Sequence, residues 1–69
     1  MRNVAIVPRL DSEQALEVAM SIYRYLRSRR VNVLPEIEFS RLKNIKGGVP
    51  LSEIDADLIV TVGGDGTVL

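Results

Sequence analysis

With 69 residues, 46% of them hydrophobic and 26% charged, the chain has the composition of one small globular domain, able to bury about 60% of its unfolded surface. Its nine basic and nine acidic side chains cancel, which offers no electrostatic case for nucleic acid or a membrane surface as partner. Cysteine and histidine are both absent, excluding disulfides, thiol catalysis and imidazole as base or metal ligand, so acid–base chemistry falls to carboxylates.

Met1-Arg2-Asn3 leads directly into an apolar run too short for a signal sequence or a membrane span, and the expected setting is the cytoplasm. The run itself, Asn3 to Val7, is stopped by Pro8 and reads as a strand buried on both faces of a parallel sheet. Arg9 follows at the edge where such sheets bind ligands. Its reading is a solvated loop arginine, with a phosphate contact as the alternative.

Asp11 and Gln14 have capping-box spacing and predict the start of a helix, with Glu13 and Glu17 in its first turns. Ala15, Val18, Ala19, Ile22, Tyr23 and Leu26 recur at three and four and are expected to face the sheet. Arg24, Arg27, Arg29 and Arg30 cluster at the far end. They read as cations complementing the helix dipole, rather than as a polyanion site, and Tyr23 and Tyr25 as packing residues.

Val31 to Leu34, closed by Pro35, is a second strand, and the three elements make a strand–helix–strand unit with a right-handed crossover. Phe39, Leu42 and Ile45 suggest one or two helical turns, which Gly47-Gly48 ends; a loop is the alternative. Pro50 fits the first position of a single turn before Asp55-Ala56-Asp57. Leu58 to Val62 then reads as a buried third strand.

That strand empties into Gly63-Gly64-Asp65-Gly66-Thr67, where three glycines permit positive φ and bring backbone N–H groups within reach of an anion. A carboxylate among them repels phosphate, so Asp65 has a chemical role, as proton acceptor, rather than a phosphate-binding one. The competing reading of Asp65 is a turn residue that satisfies loop amides. The P-loop ending Gly-Lys-Ser/Thr is absent, and the dinucleotide fingerprint fails because Leu69 stands where its third glycine belongs.

The motif with its strand resembles the signature of the NAD kinases, whose relatives are the diacylglycerol and sphingosine-type lipid kinases and, more distantly, the 6-phosphofructokinases. Val68 and Leu69 after the motif favour the NAD kinases over the lipid kinases, which usually carry Asn at the second position. The resemblance implies an α/β fold with a three-layer Rossmann-like parallel sheet, here residues 1–69 as an incomplete N-terminal nucleotide-binding domain. It implies phosphoryl transfer to the adenosine 2′-hydroxyl of NAD, giving NADP, from ATP with Mg²⁺ or from inorganic polyphosphate. Asp65 would be the base and hold ribose hydroxyls. Gly66 and Leu69 would line the adenosine site, while Gly63, Gly64, Gly66 and Thr67 hold phosphate or ribose oxygens. No residue is assigned as a metal ligand.

The family's second signature, an Asn-Asp or Asn-Glu pair, and its all-β C-terminal domain lie outside these 69 residues. The chain is therefore read as a fragment without kinase activity by itself, completed by the rest of its own chain and, in the complete enzyme, by homo-oligomer formation. Two alternatives remain: the start of a diacylglycerol-type lipid kinase, and a nucleotide-binding module without catalysis.

Overall fold

A computed structural model describes residues 3–63. The element order is β1 (Asn3–Pro8), α1 (Glu13–Ser28), β2 (Asn32–Pro35), α2 (Ile37–Leu42), a 3₁₀ turn (Leu51–Glu53) and β3 (Leu58–Val62). All three strands are parallel, in the order β2-β1-β3. β1 is thus the central strand, as its uninterrupted apolar run requires. Val4, Ala5 and Ile6 are buried, the last two completely. Val4 to Ile6 pair with Val33 to Pro35 on one side, and Val4 to Pro8 with Leu58 to Val62 on the other. Pro8, which cannot donate to a ladder, sits at the last paired position, beyond the reach of β2.

Alternation along the strands puts Ile6, Val60 and Val62 on one face. There Ile6 and Val62 pack with Ala15, Leu16 and Ala19 of α1 and with Phe39 of α2 in one core, lined further by Ile22, Tyr23, Leu26, Val33 and Ile45. Burial of these side chains holds the helices to the sheet. Phe39 is the largest fully buried side chain, and it anchors a helix of only six residues that propensity could not stabilise by itself.

The opposite face is more open: Ile59 is 51% exposed, and Thr61 is exposed. β3 therefore departs from the buried strand its composition predicts, because it lies at the sheet's edge among the described elements and its first two residues, Leu58 and Ile59, are both exposed.

Four further expectations are corrected. The cap of α1 is Ser12, whose hydroxyl accepts from the Ala15 N–H at 3.1 Å, while Asp11 turns its carboxylate to Arg9. The buried stripe of α1 is rotated by one position. Leu16 lies inside it, and Val18, at 38% exposure, lies on its outer side. Leu42 is 59% exposed, so only Phe39 and Ile45 of the predicted trio face the core. Pro50 precedes the 3₁₀ turn as its cap instead of occupying the first position inside it.

Both helices end in the same way. Arg30 and Asn44 have φ of 62° and 56°, the left-handed region. The N–H of Val31 donates to the Leu26 carbonyl and that of Arg30 to Arg27, and the N–H of Ile45 donates to Ser40 and that of Asn44 to Arg41. These paired bonds are Schellman motifs, which satisfy carbonyls a helix end leaves open. Glycine usually holds the left-handed position; here an arginine and an asparagine do. No described helix is long and apolar enough to cross a membrane.

After α2 the chain turns at Gly47, with φ of 85°, and returns so that Val49 bridges Glu36. Gly48 lies directly against Ser40: a Cβ there would meet Ser40 Oγ, come within 2.8 Å of its Cβ, and approach Ile37 Cα to 3.0 Å. Ser40 is itself buried and bonded to the Ile37 carbonyl at 2.7 Å, so it has little room to yield. Gly48→Ala should cost about 1–3 kcal/mol as an overpacked contact, read as a lower urea midpoint of the intact protein at unchanged slope. Arg30→Gly should act in the opposite direction, raising stability by about 1 kcal/mol through relief of the left-handed arginine. The same unfolding curves measure it.

Candidate functional site

In an open parallel sheet, ligands bind beyond the carboxyl ends of the strands, at the point where the chain's order reverses. From β1 the chain passes first to β2 on one side and then to β3 on the other, so the reversal lies between β1 and β3. Two loops flank that point. One runs from Pro8 through Arg9, Leu10 and Asp11 to Ser12, and the other begins at Gly63. They are tied together, because the Arg9 N–H donates to the Val62 carbonyl at 2.9 Å and so extends the β1–β3 ladder one residue past the strands.

Pro8 and Ser12 together set the shape of the first loop. Pro8 ends the strand, Ser12 begins the helix, and the three residues between them must cross the edge. Within that span the Arg9 guanidinium meets the Asp11 carboxylate through two bonds, Nε to Oδ1 at 2.6 Å and Nη2 to Oδ2 at 3.3 Å. Both side chains are largely exposed. The hydrogen bond from Arg9, aided by its charge, holds the Asp11 carboxyl below the ordinary carboxylate value. Asp11 therefore stays ionised at neutral pH and keeps the arginine's planar group in one orientation.

Of the predicted phosphate loop, Gly63 is within the described residues: it is exposed and follows the buried Val62. Gly64, Asp65, Gly66, Thr67 and Leu69 lie outside the described residues. Arg9 and Gly63 are brought to the same point of the sheet edge by the register of β1 against β3.

The arginines at the end of α1 stand elsewhere. Arg29 caps the C-terminus of α1; the Arg27 Nη1 donates to the Tyr23 hydroxyl at 2.8 Å and lies 5.6 Å from that ring's centre. Arg29 lies 5.9 Å from the ring of Tyr25. A helix C-terminus carries partial negative charge, and cation–ring stacking holds the side chains there. Sequence reasoning did not single out Glu36 at the carboxyl end of β2. It is buried, and its carboxylate accepts from the Phe39 N–H at 3.0 Å as the cap of α2. The three-residue spacing from Glu36 to Phe39 was the available signal, masked because Ser, Thr, Asp and Asn are the usual caps. Among the described residues no group of three or more histidine, cysteine, aspartate or glutamate side chains could hold a metal ion.

Comparison with known proteins gives a consistent result. The chain is 43% identical over 67 residues to an NAD kinase of Thermococcus gammatolerans, with 93% of this chain and 24% of the relative covered. To NAD kinases of Pyrococcus furiosus and Methanothermobacter thermautotrophicus it is 37% and 32% identical, over 93% and 100% of its length and 24% and 25% of theirs. The chain thus spans about a quarter of the length of these relatives. No family model matches. No solved structure matches either. Over nearly its whole length the chain is therefore similar to a segment of proteins named NAD kinase.

The Arg9–Asp11 pair has a pH signature. Because the folded Asp11 is more acidic than an unfolded aspartate at about 4, its contribution is fully present above that value and is lost as pH falls through the lower folded value. The difference in thermal midpoint between wild type and Asp11→Asn in the intact protein should therefore be constant from neutral pH to about 5 and close below about 4.

Proposed function

We propose that this chain is the N-terminal portion of an enzyme that transfers a phosphoryl group from ATP to the adenosine 2′-hydroxyl of NAD, giving NADP. The observation that carries the reading is the origin of Gly63-Gly64-Asp65-Gly66-Thr67 at the reversal point of a parallel sheet, in a chain similar to NAD kinases over nearly its whole length. The named relatives give no support to the lipid kinase alternative.

In this reaction the 2′-oxygen attacks the γ-phosphorus, the bond from that phosphorus to the bridging oxygen of the β-phosphate breaks, and ADP leaves. The 2′-hydroxyl proton passes to the Asp65 carboxylate. An aspartate of ordinary pKa, about 4, is a weak base, but in a loose transition state the proton leaves late and the base mainly orients the attacking oxygen. Gly66 and Leu69 would line the adenosine site; the N–H groups of Gly63, Gly64 and Gly66 and the Thr67 hydroxyl would hold phosphate or ribose oxygens. Mg²⁺ would arrive on the phosphates of ATP, a mode that requires few protein ligands and suits a segment without a three-carboxylate cluster among its described residues.

The same reading includes a third layer over the open face of the sheet. It also includes completion of the site by the remainder of the chain and by further subunits, and a cytoplasmic setting. Residues 1–69 alone would be inactive, because half of the substrate site would be missing. The test is NADP formation from NAD and MgATP by the intact protein, with polyphosphate as alternative donor and diacylglycerol as competing acceptor. NADP should form, and Asp65→Asn should lower kcat by roughly 10²–10⁴-fold. Phosphorylation of the lipid alone would move the acceptor assignment, and turnover of neither would leave a binding module.

A further inference from the structure

We infer that the outward face of α1 is a self-association surface, on which a second copy of this chain packs its own α1 antiparallel about a two-fold axis at Ser21. The inference is independent of the phosphoryl-transfer reading and rests on the pattern of one exposed stripe.

The inner face of α1 is committed to the core through Ala15, Leu16 and Ala19. On the outer face Glu17, Val18, Ser21, Arg24 and Tyr25 are all exposed, Val18 at 38% and Tyr25 at 61%. At about 100° per residue, Val18 and Tyr25 lie about 60° and 40° to one side of Ser21, and Glu17 and Arg24 about 40° and 60° to the other. The stripe thus has a small residue at its middle, an apolar flank and a charged flank.

Positions along the helix complete the pattern. With a rise of about 1.5 Å per residue, Glu17 and Tyr25 stand about 6 Å from Ser21 in opposite directions, and Val18 and Arg24 about 4.5 Å. A two-fold axis at Ser21 reverses the helix direction and keeps each flank on its own side. It lays Glu17 against the partner's Arg24 and Val18 against the partner's Tyr25, and each contact occurs twice, as an isologous interface requires. In a parallel pair Glu17 and Arg24 would stand level with their own copies, and neither contact would form.

Charge complementarity identifies the occupant as a second copy, because the stripe carries both halves of its own match. Both charges are accessible. No ion pair engages Arg24 among the described residues. Glu17, with a side chain 72% exposed, meets Lys43 through Oε2 at 3.4 Å, which leaves Oε1 to accept from a guanidinium. The Ser21 hydroxyl donates to the Glu17 carbonyl at 3.2 Å, so its polar group is satisfied within α1 and its small side chain allows close helix approach. Arg29 lies 5.9 Å from the Tyr25 ring and still leaves that residue largely exposed. The contact is short, one helix of 16 residues from each copy, so the association should depend on concentration.

Sedimentation velocity of the intact protein over a range of concentrations tests the inference, with thermal midpoints as the control for folding. The wild type should self-associate. Glu17→Arg and Arg24→Glu should each weaken that association by about 10-fold, because each brings like charges together twice. The double variant Glu17→Arg/Arg24→Glu should return it to within about threefold of wild type, since the pairs re-form in reverse. Ser21→Cys treated with a short bismaleimide should give a cross-linked dimer that the wild type does not. A wild type that is monomeric at every concentration, or single reversals that leave association at wild-type strength, overturns the inference and leaves this face to solvent or to the remainder of the chain. Absence of the Ser21→Cys cross-link in an associated protein overturns it as well. None of these readouts involves NADP formation, so the functional reading stands or falls separately.

Discussion

The parallel pairing of β1 with β3 is the contact on which the rest depends. It joins residues more than fifty positions apart, Val4 to Pro8 against Leu58 to Val62, and nothing local specifies it. Once the register is set, Ile6 and Val62 face the same core, the Arg9 N–H finds the Val62 carbonyl, and the loops after the two strands are brought together. At the other end the same register puts the Asn3 N–H on the Asp57 carboxylate at 2.9 Å, and the Asp57 N–H on the Asn3 carbonyl at 2.8 Å. A slip of one residue would turn Val62 out of the core and take the edge loops out of alignment. The core and the candidate site are therefore specified by one interaction.

The chain between these strands serves to bring β3 back. α1 crosses to β2, and its end must hand the chain over abruptly, which the Schellman bonds at Arg30 do. α2 is too short to persist by helix propensity, and three contacts fix it: Glu36 caps it, Phe39 is buried beneath α1, and Lys43 reaches Glu17 at 3.4 Å. Gly48 lets the returning backbone pass against Ser40, and Val49 joins the end of β2. Each device is small. Together they direct the chain to the far side of β1, which creates the reversal point at which ligands collect.

The elements were legible in the sequence because their signals were local. β-branched runs marked three strands, a three-and-four spacing marked α1, and Gly47-Gly48 marked the turn. What was not legible depended on competition between neighbours. Asp11 has a better-marked capping pattern than Ser12, yet Arg9 captures its carboxylate, and the serine takes the cap. Leu16 and Val18 differ in burial because Leu16 joins the core that includes Phe39 and Val18 does not, an outcome of tertiary packing. β3 has the composition of a strand buried on both faces, but burial is a property of neighbours, and among the described elements it has one. The glycine motif could be read from its letters; that its strand lies beside Arg9 could not, since strand order is invisible in a single sequence.

Charge placement links these levels. The chain is neutral as a whole, with four of its nine cations gathered from Arg24 to Arg30 at the C-terminal end of α1. There they lie near the negative pole of the helix, and Arg27 and Arg29 stand over the faces of Tyr23 and Tyr25, at the end of α1 remote from Gly63. Among the described residues, the loops at the carboxyl edge hold Arg9, Asp11 and the buried Glu36. On the proposed reading, the Asp65 carboxylate amid the glycines suits proton acceptance from an alcohol better than passive phosphate binding, which it would weaken. The sheet register decides which residues meet at the edge, and the charges left there decide what chemistry the edge can favour.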